Sequence, residues 1–240
     1  MALTPVVLSP ALPSELLTYI IQQETHPTTL IICSSRTEFL AQLVLDMQDT
    51  TMGQLQDDNR REVLLSSPLY QVAIARHIRM VFVPTVSHLR AYLSVFTHED
   101  SKVPPPPTHT PAQNKRQQKL LLVYGLLNLH RDTSEWSAQG ISSTAATLVE
   151  AARKTGFRAV VVDPPRPPRQ SEEGRDEAED RGGNEVPEAD GSLLSDEVPV
   201  LSASTRRAGA DLDDAAWTGR KVALGRVLGR WFRFNRANWA

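Results

Sequence analysis

An unbroken apolar run, Leu120-Leu121-Leu122-Val123-Tyr124, is what most restricts this chain. It is too short for a spanning helix and shows no alternation, so it reads as a strand buried on both faces, the signature of a parallel sheet covered by helices. Two similar runs flank it: Thr28-Thr29-Leu30-Ile31-Ile32-Cys33 and Phe157 to Val162, with Ile78-Arg79-Met80-Val81-Phe82-Val83 as a further strand. Helical spacing lies between them. Leu16, Leu17, Ile20 and Ile21 recur behind Ser14, a capping residue type. Phe39, Leu40, Leu43, Val44 and Met47 share one side of a helix starting near Thr37, with Asp46 off that side. Leu89, Leu93 and Phe96 share a face after Ser87, and a helix over Ser143 to Lys154, closed by Gly156, buries Ala146, Leu148, Val149 and Ala152. Strands alternating with crossover helices predict an α/β domain, a mainly parallel sheet with helices on both faces.

At 240 residues and 40% hydrophobic composition the chain supports one core, residues 1–240 as one domain. Polar residues from Asp49 to Arg61 predict a loop, and Ser67-Pro68 a short helix through Ala73. Ser101 to Gln118, with Pro104 to Pro107, predicts a linker. Pro164 to Val198 predicts a disordered insertion, with eleven acidic residues between Glu172 and Glu197. Val200 to Arg206 reads as a short strand, and Arg220 to Phe234, alternating basic with apolar residues, as a terminal hairpin or strand pair.

Cys33 is the only cysteine, which excludes an internal disulfide framework and any multi-thiolate metal site and fits a reducing compartment. Met1 to Pro13 lacks a basic segment followed by a long apolar run, and no stretch reaches the length of a membrane span, so a soluble intracellular protein is expected.

The segment Leu120-Leu121-Leu122-Val123-Tyr124-Gly125-Leu126-Leu127-Asn128-Leu129-His130-Arg131 resembles the Walker B strand and its continuation in the RecA-like recombinases and their eukaryotic paralogues, with Tyr124 where that family has its magnesium-holding Asp. Ala159 to Val162 resembles the strand before the second DNA-binding loop, and Leu30 to Thr37 stands in the place of the Walker A strand, loop and helix start. A working phosphate loop needs glycines, a Lys and a Ser or Thr. Ser34-Ser35-Arg36-Thr37 has neither Gly nor Lys, and phosphoryl transfer depends on positioned donors and charges. Ser34, Ser35, Arg36, Thr37 and Tyr124 therefore mark a degenerate nucleotide site with no cofactor and no catalysis. The resemblance implies a Shu-complex-like accessory subunit in homologous recombination, nuclear, in a hetero-oligomer with another RecA-like paralogue, engaging single-stranded or forked DNA. Its rivals are a RecA-like Elongator-type subunit in tRNA modification and an ATPase with a variant phosphate loop.

Other constellations read more plainly. The six histidines have no paired ligand spacing. Ser34 and Ser35 lack a G-x-S-x-G frame and read as turn and capping residues. Asp132 and Glu135 read as loop residues, and Tyr124 and Trp136 as aromatics filling vacated space. Arg220, Lys221, Arg226, Arg230, Arg233 and Arg236, with no carboxylate from Gly219 to Arg236, are candidate DNA-binding residues beside Trp231 and Phe234. An edge element kept soluble by its arginines is the alternative.

Overall fold

The computed structural model describes residues 3–23, 25–52, 72, 74–101, 103–104, 119–166, 194–201, 220–237 and 239. In chain order the elements are β1 (Val6–Leu8), α1 (Pro13–Gln23), β2 (Thr28–Ile32), α2 (Arg36–Met52), β3 (Ile78–Phe82), α3 (Val86–Val95), a 3-10 turn (His98–Ser101), β4 (Leu120–Tyr124), α4 (Leu126–Arg131), α5 (Ala138–Thr155), β5 (Arg158–Val162), β6 (Glu197–Pro199), β7 (Lys221–Ala223), α6 (Leu224–Leu228) and β8 (Arg233–Asn235). Six strands form one sheet in the order β3-β2-β4-β5-β1-β8, every pairing parallel, while β6 and β7 pair antiparallel in a separate ribbon. The chain has the α/β architecture expected of it. β4 lies inside the sheet, buried along its whole length, because its continuous apolar sequence has two faces to cover.

Alternate residues of the strands feed two cores. On one face Ile31, Leu121, Val123 and Val161 meet Leu89 and Leu93 of α3, Ile141 and Leu148 of α5, and Leu224 and Leu228 of α6. On the other, Leu30, Ile32, Leu122, Tyr124 and Val160 meet Leu16 and Ile20 of α1 and Phe39 of α2. Helices thus cover both faces.

Several local expectations are corrected. β1 was not foreseen, and it pairs with β5 and β8. Ser14 lies inside α1 and does not cap it; Asp46, brought over from α2, accepts its backbone N–H at 2.9 Å. α2 thus turns Asp46 and Phe39 inward and leaves Leu40 and Val44 exposed. It also continues helically to Met52, into the expected loop; most of that loop and of the Ser67–Ala73 helix lies outside the described residues. α5 begins at Ala138, where Ser137 caps Gly140 at 3.1 Å, and Ala146 and Val149 are half-buried. Gly140 is required there, since a Cβ would meet the Glu135 carbonyl at 2.3 Å. Ser101 closes the 3-10 turn, and 105–118 of the expected linker lie outside the described residues.

The expected acidic insertion ends earlier than its composition implied. Residues 167–193 lie outside the description, whereas Glu197–Pro199 is a strand, and Asp196 takes Arg166 in a bidentate ion pair with Arg131 at 3.5 Å. Of the strand expected at Val200 to Arg206, Val200 and Leu201 lie beyond β6 and outside its paired residues, and 202–206 lie outside the described residues. The tail is not a simple hairpin: β7 pairs with β6, α6 follows, and β8 joins the main sheet beside β1. Leu224, Val227, Leu228 and Phe232 are buried, and that apolar series curls the segment into a helical turn.

Candidate functional site

In an open parallel sheet, ligands enter at the carboxyl ends of strands where successive connections diverge. Here that place lies between β2 and β4. The connection from β2 runs through α2 to β3 at one edge, and the connection from β4 runs through α4 and α5 to β5 on the other side. Ile32 pairs with Tyr124 in register, and Cys33 N–H donates to the Tyr124 carbonyl at 2.9 Å. The fold therefore brings the Ser34–Thr37 turn and Tyr124 to one crevice. A second strand-turn-helix junction, Ser9 to Leu12 between β1 and α1, opens on the same side and was missed in the sequence. It too has no Gly or Lys.

Three helices beginning at this edge each have one or two of their leading backbone N–H groups bonded to carboxylates of the chain itself. At α2, Ser35 N–H donates to Glu38 at 2.9 Å and Glu38 N–H donates to the Ser35 hydroxyl at 3.2 Å, a reciprocal capping box. The Ser35 backbone bond, then its hydroxyl, holds the Glu38 carboxyl below its ordinary range. At α1, Leu12 N–H donates to Glu15 at 2.8 Å and Ser14 N–H to Asp46. At α4, Leu127 N–H donates to Asp163 at 2.8 Å. A phosphate arriving at any of these ends would have to displace a carboxylate and accept its repulsion. Arg36 and Thr37 are exposed on the first turn of α2, where Thr37 and Ser35 share a hydrogen bond at 3.0 Å.

Tyr124 is buried beside these helix starts. Its ring meets Phe39 edge-on at 6.1 Å, and its hydroxyl donates to the Ala11 carbonyl at 3.0 Å, bridging over β5 to the β1–α1 turn. Burial, then the neighbouring Asp163, Asp46 and Glu15 carboxylates, push the phenol far up, so it remains a protonated donor. Asp163 itself is 5% exposed; burial drives its carboxyl up to about 6 against the opposing bonds from the Leu127 and Asn128 N–H groups and the charge of Arg131. Cys33 is buried beside it, its thiol pushed up by desolvation and then by Asp163, so it is no nucleophile.

The other sequence candidates have structural partners. Glu135 binds Arg90 at 2.7 Å, and Arg90 also donates to Thr144 at 2.9 Å and to the Gly140 carbonyl at 2.8 Å. His130, fully buried, spans the Leu126 carbonyl at 2.8 Å and Thr144 at 2.9 Å, and burial lowers its pKa. The Leu126 contact places the proton on Nδ1, leaving Nε2 to accept from Thr144. This network ties α3, α4 and α5 together. Asp132 ends α4, and Trp136 lies under the Arg131 guanidinium at 4.8 Å. Among the described residues there is no group of three metal-ligating side chains, and no helix is long and apolar enough to cross a membrane.

All six tail cations, Arg220, Lys221, Arg226, Arg230, Arg233 and Arg236, are exposed. Of the two aromatics considered with them, Trp231 is fixed by its Nε1–H bond to Ser142 at 2.9 Å, whereas Phe234 stands 41% exposed on β8.

Fold and site together define an α/β protein with a mainly parallel sheet whose ligand-side crevice is filled by its own aromatic and carboxylate side chains. Comparison of the chain with protein-family models and with curated proteins finds no match.

Proposed function

We propose that this chain is a non-catalytic, RecA-like accessory subunit of a recombinase-paralogue complex of the Shu type, working in homologous-recombination repair in the nucleus. The observation that carries the reading is the closure of three helix starts by Glu15, Asp46, Glu38 and Asp163 at the edge where a nucleotide would sit, with Tyr124 plugged between them. A sheet whose α1, α2 and α4 starts are capped by the chain's own carboxylates is suited to packing and positioning. Its partner in this reading is a second RecA-like paralogue, the two together holding single-stranded or forked DNA for the active recombinase. The assignment to recombination rests on the resemblance of Leu120 to Arg131, and fold alone does not set function.

Affinity purification of the tagged full-length chain from its own cells, followed by mass spectrometry, tests it. Recovery of a RecA-like paralogue together with the recombinase is expected. Recovery of Elongator subunits in their place would transfer the chain to tRNA modification, and recovery of neither would overturn the subunit assignment.

A further inference from the structure

The segment from β7 to β8 combines a fixed scaffold with an unusual charge distribution. Its apolar residues Leu224, Val227, Leu228 and Phe232 belong to the core, so its cations are held on a folded strand, helical turn and strand, not on a loose tail. Register then shows which face each one occupies. Arg233 pairs with Val6, and Val6 with Val160, both of which face the α1 core. Arg158 begins β5 two residues before Val160, on the same face, with its Nε–H donating to the Thr4 carbonyl at 3.4 Å. Two strand spacings of ~4.8 Å and a two-residue offset at ~3.3 Å per residue put Arg158 and Arg233 about 12 Å apart across β1. Arg158 is far from the tail in sequence and joins its charge only through the fold.

The next residue, Phe234, pairs with Val7, which faces the opposite core where α6 packs. Arg226 on α6 and Arg230 just after it are exposed. Positive charge therefore runs from the α1 face, around the sheet edge at β8, to the α6 side, with an aromatic ring at the turn. Lys221 pairs with Glu197 at 3.8 Å.

We propose that Arg158, Arg226, Arg230 and Arg233, with Phe234, form a surface for the phosphate backbone of a single nucleic-acid strand bent around the β8 edge. A charged surface that turns a corner suits a flexible single strand, whereas a duplex is stiff over about 150 base pairs. The partly exposed Phe234 ring offers sequence-tolerant stacking on an unpaired base. A membrane surface would call for several apolar residues free to insert, and here Leu224, Val227, Leu228 and Phe232 are in the core, leaving Phe234 alone among the segment's large apolar residues exposed. The surface deepens the subunit reading and rests on it for the choice of DNA as the polyanion.

The test is fluorescence anisotropy of a labelled thirty-nucleotide oligo-dT with the full chain across a salt series. Four phosphate contacts give a slope of log affinity against log salt of about -3, at ~0.7 per phosphate. The triple variant R226E/R230E/R233E is expected to weaken binding at least tenfold and flatten the slope by about 2, with unchanged thermal melting. Arg158→Gln is expected to flatten it by about 0.7, and Phe234→Ala to cost about fivefold or more on oligo-dT but little on a duplex of equal length. A control, R153E/K154E on exposed α5 positions, should leave affinity within twofold. Absence of oligo-dT binding at low salt, equal loss in the control, or reversal that spares oligo-dT while abolishing binding to phosphatidylserine vesicles would each overturn the surface. None of those outcomes changes which proteins co-purify, so the subunit assignment stands or falls separately.

Discussion

Replacing Asp163 with Asn should stabilise the protein at neutral pH and lose that advantage in acid. Asp163 is 5% exposed and its carboxyl is raised from an ordinary 3.8 to about 6, chiefly by burial. A folded-state pKa above the unfolded one means that the folded protein holds this proton more tightly. The stability associated with the protonated form is complete below about pH 4 and lost as pH rises through about 6. The full shift corresponds to about 3 kcal/mol at 1.36 kcal/mol per unit. Asn has no charge to bury and keeps an oxygen for the Leu127 N–H, so the wild-type deficit relative to the variant is about 1 kcal/mol at pH 4.5 and about 3 kcal/mol at pH 7.5. A fixed penalty for placing the amide NH2 there moves both values equally. Urea melts of both proteins at intervals between those pH values read the widening of the gap, expected at about 2 kcal/mol. A gap independent of pH would refute the claim that Asp163 is ionised under strain beside α4.

Three further perturbations probe the same frame. Tyr124→Phe removes the bond to the Ala11 carbonyl while keeping the ring on Phe39, and should cost about 1–2 kcal/mol in chemical denaturation without creating nucleotide affinity. Thr144→Val strands the buried His130 Nε2 and one Arg90 N–H, and should lower stability by about 2–4 kcal/mol in the same assay. Excising residues 172–193 removes nine carboxylates tethered to the domain that carries the basic surface, and should tighten oligo-dT binding at low salt but not at high salt, read by anisotropy.

The strands legible in the sequence were those whose evidence is local. β2, β4 and β5 announce themselves by continuous apolar runs, and their parallel arrangement follows from the helices between them. β1 is only Val6–Leu8, with prolines at positions 5 and 10, and becomes a strand because β5 and β8 supply partners from the far end of the chain. Pairing across that distance leaves no periodicity to read. Asp46 shows a similar limit: helical spacing sets it aside from the apolar stripe, yet the fold buries it to cap α1. The start of α5 could have been found, because Ser137 is a good N-cap residue, but Gly140 just inside the helix disguised it. At the crevice, the sequence placed Ser34 to Thr37 and Tyr124 together, and the structure does so. What it could not show was that Glu15, Glu38, Asp46 and Asp163 close the helix ends there, since two of these reach their N–H groups from other elements.

The central claim, that the chain's own carboxylates occupy the helix starts where a nucleotide's phosphates would sit, is tested most directly by calorimetric titration of the purified chain with ATP and Mg²⁺. The account predicts no saturable binding at micromolar nucleotide, because the helix ends that would hold phosphate already hold carboxylates and no Lys or magnesium-binding Asp stands at Ser34–Thr37 or Tyr124. Micromolar affinity that Arg36→Ala abolishes would contradict it and show that a variant phosphate loop is at work.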